Sequence, residues 1–143
     1  MSAAMEAAIE GVPSIGLSLL DYKYDADFTV AKMVAHDLTR RMLSQSMPEH
    51  ILLNVNIPVT TPGEFKGMKV CRQAYAKWEE EFDHRVDPRG KDYYWMVGKF
   101  VNMDKEGGTD VEALKAGFAS IVPIRIDFTD TSAKDWLHTN WGL

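Results

Sequence analysis

A chain of 143 residues suits one domain with room for a hydrophobic core. Its 45% hydrophobic and 26% charged residues are ordinary for a globular protein in water. A net charge of −5 argues against a general surface for nucleic-acid polymers or anionic membranes, because phosphate backbones are bound by clustered cations. A small anion is still admissible, since a local pocket can oppose the net charge. The single Cys71 excludes an intrachain disulfide and a multi-cysteine metal site. No apolar run reaches membrane-spanning length, and the start lacks the basic residues of a signal peptide. The expectation is a cytoplasmic protein with no membrane contact.

In chain order, "SAAMEAAIEG" reads as a helix with Ser2 as its N-cap, an apolar stripe of Met5, Ala8 and Ile9, and Gly11 as its stop. "VPSIGLSLL" (12–20) is apolar on both faces, the pattern of a central strand covered on both sides. A helix feeding such a strand is the second half of a β-α-β unit, so another strand is expected before it. After the polar loop 20–27, Asp27 is placed to cap a helix whose stripe is Phe28, Ala31, Val34, Ala35, Leu38 and Met42. Residues 51–58, "ILLNVNIP", form a second strand closed by Pro58, and 59–67 form a loop.

Residues 68–86 and 91–101 flank "DPRG" (87–90), whose Asp87, Pro88 and Gly90 hold preferred positions of a type I turn. Trp78, Glu80 and Phe82 alternate with Lys77, Glu79, Glu81 and Asp83. On the return arm, Tyr93, Trp95 and Val97 alternate with Asp92, Tyr94 and Met96. The pattern predicts a long antiparallel hairpin with more aromatic surface than a lone two-stranded ribbon can bury, so a partner surface is expected. Thr109 caps a short helix ended by Gly117. Residues 118–129 read as a strand in which Pro123 favours an edge or a bulge. The tail from Asp130 reads as a helix whose Trp136, Leu137 and Trp141 need something to pack on.

The chemistry-bearing residues do not converge. His36, His50, His84 and His138 lie on separate elements without metal-ligand spacing, and His36 falls on the polar side of its helix. Strand alternation sends Glu79, Glu81 and Asp83 away from Glu80 and His84. Cys71 reads as a small buried hydrophobe rather than a nucleophile. No nucleophile-elbow, P-loop or dinucleotide fingerprint occurs. One feature favours a site: free N–H groups and the positive dipole end of the first helix, at Ser2, suit a phosphate.

The order of segments resembles the stationary-phase survival protein SurE family, metal-dependent nucleotidases of α/β fold. The matching stretches are "SAAMEAAIEGVPSIGLSL", "LLNVNIP", "EEFDHRVDPRGKDYYWMVG", "GTDVEALKAGFASIVPIRID" and the Trp-bearing tail. The resemblance implies residues 1–67 as the later part of a Rossmann-like core. It implies residues 68–101 as an oligomerisation arm, and 102–143 as a return strand with a C-terminal helix. For the intact family it implies hydrolysis of nucleoside 5′- and 3′-monophosphates with Mg²⁺ or Mn²⁺. Family members carry a strand ending in two aspartates and, just before the first helix here, a Ser-Gly-Thr-Val run. Met1 stands at that valine position. Asp21, Asp25 and Asp27 lie in a different loop from the aspartate pair.

The expectation from the resemblance is that this chain holds no metal ligands or catalytic acid, borders the phosphate only at Ser2, and is inactive alone. The arm and tail are expected to build a homodimer or homotetramer. The interface would use Trp78, Phe82, Asp87, Pro88, Arg89, Gly90, Tyr93, Tyr94, Trp95 and Asp127, the last matching an acidic position after the final strand. Thr131 stands where some relatives have histidine. The competing expectation is a non-catalytic assembly module that kept the arm.

Overall fold

The computed structural model describes residues 2–142; Met1, and with it the valine position of the resemblance, lies outside them. Helix α1 (Ser2–Ile9) leads into strand β1 (Ser14–Leu19), then helix α2 (Thr29–Ser44) and strand β2 (Ile51–Ile57). Strand β3 (Met68–Val70) is short, and β4 (Ala76–Val86) and β5 (Asp92–Asn102) are long. Helix α3 (Asp110–Lys115), strand β6 (Ala119–Arg125) and helix α4 (Thr131–Trp141) complete the chain. One sheet has the order β1-β2-β6-β3, and β4 pairs with β5 in a separate ribbon. β1 is parallel to β2 and β3 to β6, while β2 and β6 are antiparallel.

Period-two alternation divides the four-stranded sheet into two faces. Leu53, Val55 and Ile57 share one face with Ala119 and Ile121, and α2 lays Val30, Val34 and Leu38 on them. Full burial of such a side chain is worth roughly 1.5–3 kcal/mol, so this i, i+4 stripe holds the helix. The stripe is centred differently from its sequence expectation. Val30 takes the buried place and Phe28 is exposed, because the helix starts only at Thr29. Asp27 does accept from the Thr29 amide at 2.8 Å and from its hydroxyl at 2.6 Å, so it serves the helix start from one position farther out. On the other face, α3 packs Ala113 with Cys71 and Val122.

α1 lies on that second face. Ser14 Oγ donates to the Ala4 carbonyl at 2.7 Å, and His50 Nδ1 meets the Ala8 carbonyl at 3.3 Å. Going from Ala8 to Ala4 therefore climbs from His50, just before β2, to the level where Ser14 pairs with Leu52. α1 runs antiparallel to β1 and β2, and Ser2 points toward their carboxyl ends. Ser2 is already helical and is not the cap expected of it, since a cap keeps an extended backbone. Of the expected stripe, Ala8 is buried, Met5 half-buried and Ile9 exposed. Gly11 (φ 75°) does stop the helix. Its amide bonds to the Ala8 carbonyl and that of Val12 to Ala7, the paired reverse bonds a left-handed residue makes possible.

Three strands differ from expectation. β1 pairs with β2 alone among the described residues, so it is an edge strand rather than a central one, and Leu17 is 44% exposed. The run 68–86 is broken: Met68–Val70 pairs with β6 in the main sheet, and the ribbon starts only at Ala76. The chain turns out of the sheet after Cys71, whose amide bonds to Ile121, and Arg72 forms a bridge to Thr109. β6 ends at Arg125 and lies between β2 and β3. Pro123 pairs with Leu53 but sits beyond the end of β3, so its missing N–H falls where β6 has a single neighbour.

α3 is capped as its sequence implies. Thr109 Oγ1 accepts from the Glu112 amide at 3.3 Å, and the Glu112 carboxylate accepts from the Gly108 and Thr109 amides. Thr109→Ala should therefore lower stability by about 1 kcal/mol, within the usual 0.5–2 kcal/mol of a lost cap. Thr109→Ser should lose less. Urea midpoints of the two variants check this, and equal losses would show that burial of the threonine methyl, not the cap, is what matters.

Candidate functional site: a two-faced aromatic arm

The ribbon is built by alternation and closed by one turn. Asp87 Oδ1 accepts from the amides of Arg89 (2.8 Å) and Lys91 (2.9 Å), and the Gly90 amide donates to the Asp87 carbonyl. Pro88 supplies the fixed φ of the second turn position, and Gly90 (φ 76°) takes the left-handed position of a three-residue hairpin loop. Pro88, Arg89 and Gly90 are exposed at the tip.

Register sorts the side chains. Trp78 pairs with Phe100, Phe82 with Met96, His84 with Tyr94 and Val86 with Asp92, so these lie on one face. Lys77, Glu79, Glu81, Asp83 and Arg85 lie on the other with Val101, Lys99, Val97, Trp95 and Tyr93. The five aromatics expected to act together are thus divided: Trp78, Phe82 and Tyr94 on one side, Tyr93 and Trp95 on the other. Phe100 and Met96 join the first group; continuing the alternation through residue 100 would have found them.

The two faces differ in how well they satisfy themselves. On the charged face, Glu79 is bracketed by Lys77 (3.3 Å) and Lys99 (3.6 Å), Asp83 holds Arg85, and the Arg85 guanidinium sits 5.9 Å from the Trp95 ring centre. On the aromatic face, His84 meets Asp92 at 2.7 Å and its ring lies 5.0 Å from that of Tyr94. Trp78 lies across Gly98, where an added Cβ would strike its indole and the Glu79 carbonyl. The large apolar side chains there stay open, with Trp78 56%, Phe82 67% and Met96 65% exposed.

A polar root fixes where the arm leaves the core. Arg72 donates two bonds to the Asp104 carboxylate (3.0 and 2.6 Å) and one to the Glu106 carbonyl. Asp104 also accepts from the Tyr75 amide, and Asp110 Oδ1 accepts from the Ala74 amide at 2.9 Å. The Arg72 guanidinium, then the Tyr75 amide, hold the Asp104 carboxyl below the usual carboxylate range. No local pattern marks this pair, because its members are far apart in sequence.

The remaining expected residues stay apart. Asp127 is exposed in the loop after β6, and its carboxyl is lowered by the Thr129 hydroxyl and amide. α4 is capped by Asp130 and buries no residue; Trp136 and Trp141 meet each other edge to face at 6.0 Å. Cys71 is buried, and loss of solvation pushes its thiol pKa up, opposite to what a nucleophile needs. Asp21 is engaged by the Lys23 amide and Asp27 by Thr29. Among the described residues, no three His, Cys, Asp or Glu side chains form a group that could hold a metal ion. None of their helices is long and apolar enough to cross a membrane.

Residues 1–80 match the family model described as survival protein SurE. This chain belongs to the SurE family. It is 52% identical over 129 residues to a 5′-nucleotidase SurE of Christiangramia forsetii, covering 90% of this chain and 50% of that protein. A 5′-nucleotidase SurE of Flavobacterium psychrophilum is 49% identical over 143 residues, covering 100% of this chain and 55% of the relative. The crystal structure of the SurE protein from Aquifex aeolicus superposes with a TM-score of 0.76 at 33% identity, over 96% of this chain and 55% of that one. The likeness bears out the α/β fold with its β-hairpin. This SurE-family chain spans about half the length of the curated relatives it matches.

The root pair generates a pH-dependent expectation. A carboxyl held low in the folded state stabilises above its unfolded value, near 3.9, and that contribution disappears as pH falls through the folded value. Asp104→Asn should destabilise the chain near neutral pH and speed protease cleavage around the arm root. The stability gap from wild type should close as pH drops below about 4. A gap that persists unchanged at low pH would show that the Arg72–Asp104 charge pair is not its source.

Proposed function

We propose that this chain forms the later half of a metal-dependent 5′-nucleotidase that hydrolyses nucleoside monophosphates, and that it is inactive without the other half of the family pattern. The observation that carries this reading is the match of residues 1–80 to the SurE family model, with relatives named as 5′-nucleotidases at close to half identity. Among the described residues, no three His, Cys, Asp or Glu side chains gather into a group that could hold a divalent cation. On this reading the ligands for Mg²⁺ or Mn²⁺ belong to the earlier half of the family pattern, and no hydrolytic step falls to Asp21, Asp25 or Asp27. What this chain contributes is the amino end of α1 at Ser2, directed toward the carboxyl ends of β1 and β2, where free N–H groups favour a phosphate. The open edge of β1, with Leu17 exposed beside it, supports a further strand as its neighbour.

The test supplies the earlier half of the Flavobacterium psychrophilum relative as a separate polypeptide. Alone, this chain should show no metal-dependent release of phosphate from nucleoside monophosphates. Mixed with the complementary half, it should gain thermal stability and hydrolytic activity. Two halves that coexist without binding, thermal shift or activity would favour the non-catalytic assembly module instead.

The same reading has the chain self-associate through its arm as a homodimer or homotetramer. Trp78→Ala combined with Trp95→Ala removes one large ring from each face of the ribbon. Light scattering should show an oligomeric wild type and a smaller double variant; an unchanged mass would exclude the arm as the contact.

A further inference from the structure

We propose that a polar row across the main sheet binds the sugar hydroxyls of the nucleotide, with Ser18 and Asn56 in contact and Ser120 positioning Asn56. The assignment rests on the reading that a phosphate lies at the amino end of α1, and it names what holds the part of the substrate next to that phosphate.

Register fixes the row. Ser18 pairs with Asn56, Asn56 with Ser120, and Ser120 with Lys69, so all four strands present a polar side chain at one level. Alternation places these residues on the face where α1 lies, because Ser14 and Leu52 of that face precede Ser18 and Asn56 by an even number of positions. On the opposite face the same strands carry Leu19, Val55, Ile57, Ala119 and Ile121, the apolar composition usual for a sheet covered by helices. A polar level in such a sheet costs desolvation, which is offset when its hydrogen bonds are filled.

The row lies just beyond the amino end of α1. A helix rises about 1.5 Å per residue and a strand about 3.3 Å, so the step from Ala4 to Ser2 climbs about one strand position. Ser2 therefore stands near the level of Ile15 and Leu53, before Gly16 and Asn54 and then Ser18 and Asn56 on its own face. Ser18 is exposed, Asn54 and Asn56 are half-buried, and Gly16 puts no side chain in between. Among the described residues, the Ser18 and Asn56 side chains have no hydrogen-bond partner. A group esterified to a phosphate at the end of α1 falls onto them.

The chemistry of the row suits a sugar better than a second phosphate. Ser18 and Asn56 each donate and accept, as vicinal hydroxyls do, whereas a phosphate dianion takes donors alone. Ser120 decides which end of the amide faces outward. Its hydroxyl is 0% exposed and has no partner among the described residues, the costly state for a buried donor. Its neighbours in the row are Lys69, which only donates, and Asn56, whose Oδ1 accepts. Turning Asn56 to satisfy Ser120 leaves the amide NH2 directed away from Ser120, free to donate to a sugar oxygen.

The experiment mixes the full chain with the earlier half of the Flavobacterium psychrophilum relative. It compares adenosine 5′-monophosphate, its 2′,3′-dideoxy analogue, and phenyl phosphate, which has no sugar. Asn56→Ala should lower kcat/KM for adenosine 5′-monophosphate about fivefold, through KM, and leave the other two substrates unchanged. Asn56→Asp, which keeps the shape and loses the NH2 donor, should lose at least as much. Ser120→Ala should give the same substrate split with a smaller loss. Circular dichroism checks that each variant folds.

An Asn56→Ala profile equal to wild type overturns the inference while the nucleotidase reading stands. So does a wild type that does not distinguish adenosine 5′-monophosphate from its dideoxy analogue. Equal losses on all three substrates, with a smaller thermal shift on mixing, show that the row seats the other half of the family pattern, and overturn sugar binding. A mixture that releases phosphate from none of the three overturns the nucleotidase reading and this inference with it.

Discussion

Strand β6 hydrogen-bonds to β2 along one edge and to β3 along the other, and the placement of everything beyond residue 67 depends on that pairing. Its antiparallel register with β2 runs from Ile51–Arg125 to Asn56–Ser120, locking a late segment to the earlier α/β half. Its three-residue pairing with β3 holds the foot of the arm. Ala119 and Ile121 complete the apolar face under α2, while Val122 on the other face meets Ala113 and Cys71. A strand that completes both faces couples the two halves of the chain, because losing it would open two clusters together. β6 tolerates Pro123 only because β3 stops short of it.

The arm is the structural opposite of this core. Its backbone bonds are satisfied within the ribbon, but two strands cannot form a layer with an interior, so every ring on it keeps one side in water. The charged face manages that exposure with ion pairs and a cation over Trp95. On the aromatic face His84 meets Tyr94 and Trp78 lies across Gly98, yet Trp78, Phe82, Tyr94 and Phe100 each stay more than half exposed. The root of Arg72, Asp104 and Asp110 ties the ribbon to the loop before α3, so the arm leaves the core in a defined direction. Such pre-ordering lowers the conformational entropy lost on docking.

A divided functional reading follows from the same layout. Residues 2–57 present the amino end of α1 beside the carboxyl ends of β1 and β2. The chemistry-bearing side chains of the later segments, by contrast, are spent on structure. Asp87, Asp104, Asp110, Asp127 and Asp130 each accept backbone amides at a helix start, turn or root. An acidic chain can therefore carry many carboxylates without gathering three of them into a metal-holding group among its described residues.

The sequence by itself determined whatever depends on neighbours within a few residues. Gly11 and Gly117 stop helices because only a left-handed residue permits the closing bonds. Thr109 and Glu112 form their box within one turn, and Asp-Pro-Arg-Gly closes the hairpin within its own four residues. The family resemblance was legible for the same reason, in contiguous runs such as "NVNIP" and "VDPRGKDYYW". The tertiary structure alone decided what depends on partners distant in the chain. The two-sided apolar run 12–20 read as a central strand, and only the sheet order made β1 an edge among the described residues. Alternation assigned faces within each arm, yet which rings share a face across the ribbon waited on the Trp78–Phe100 register. The run 68–86 looked continuous until β6 captured its first three residues. Arg72 and Asp104, thirty-two positions apart, carry no local signal because their attraction exists only once the chain has brought them together.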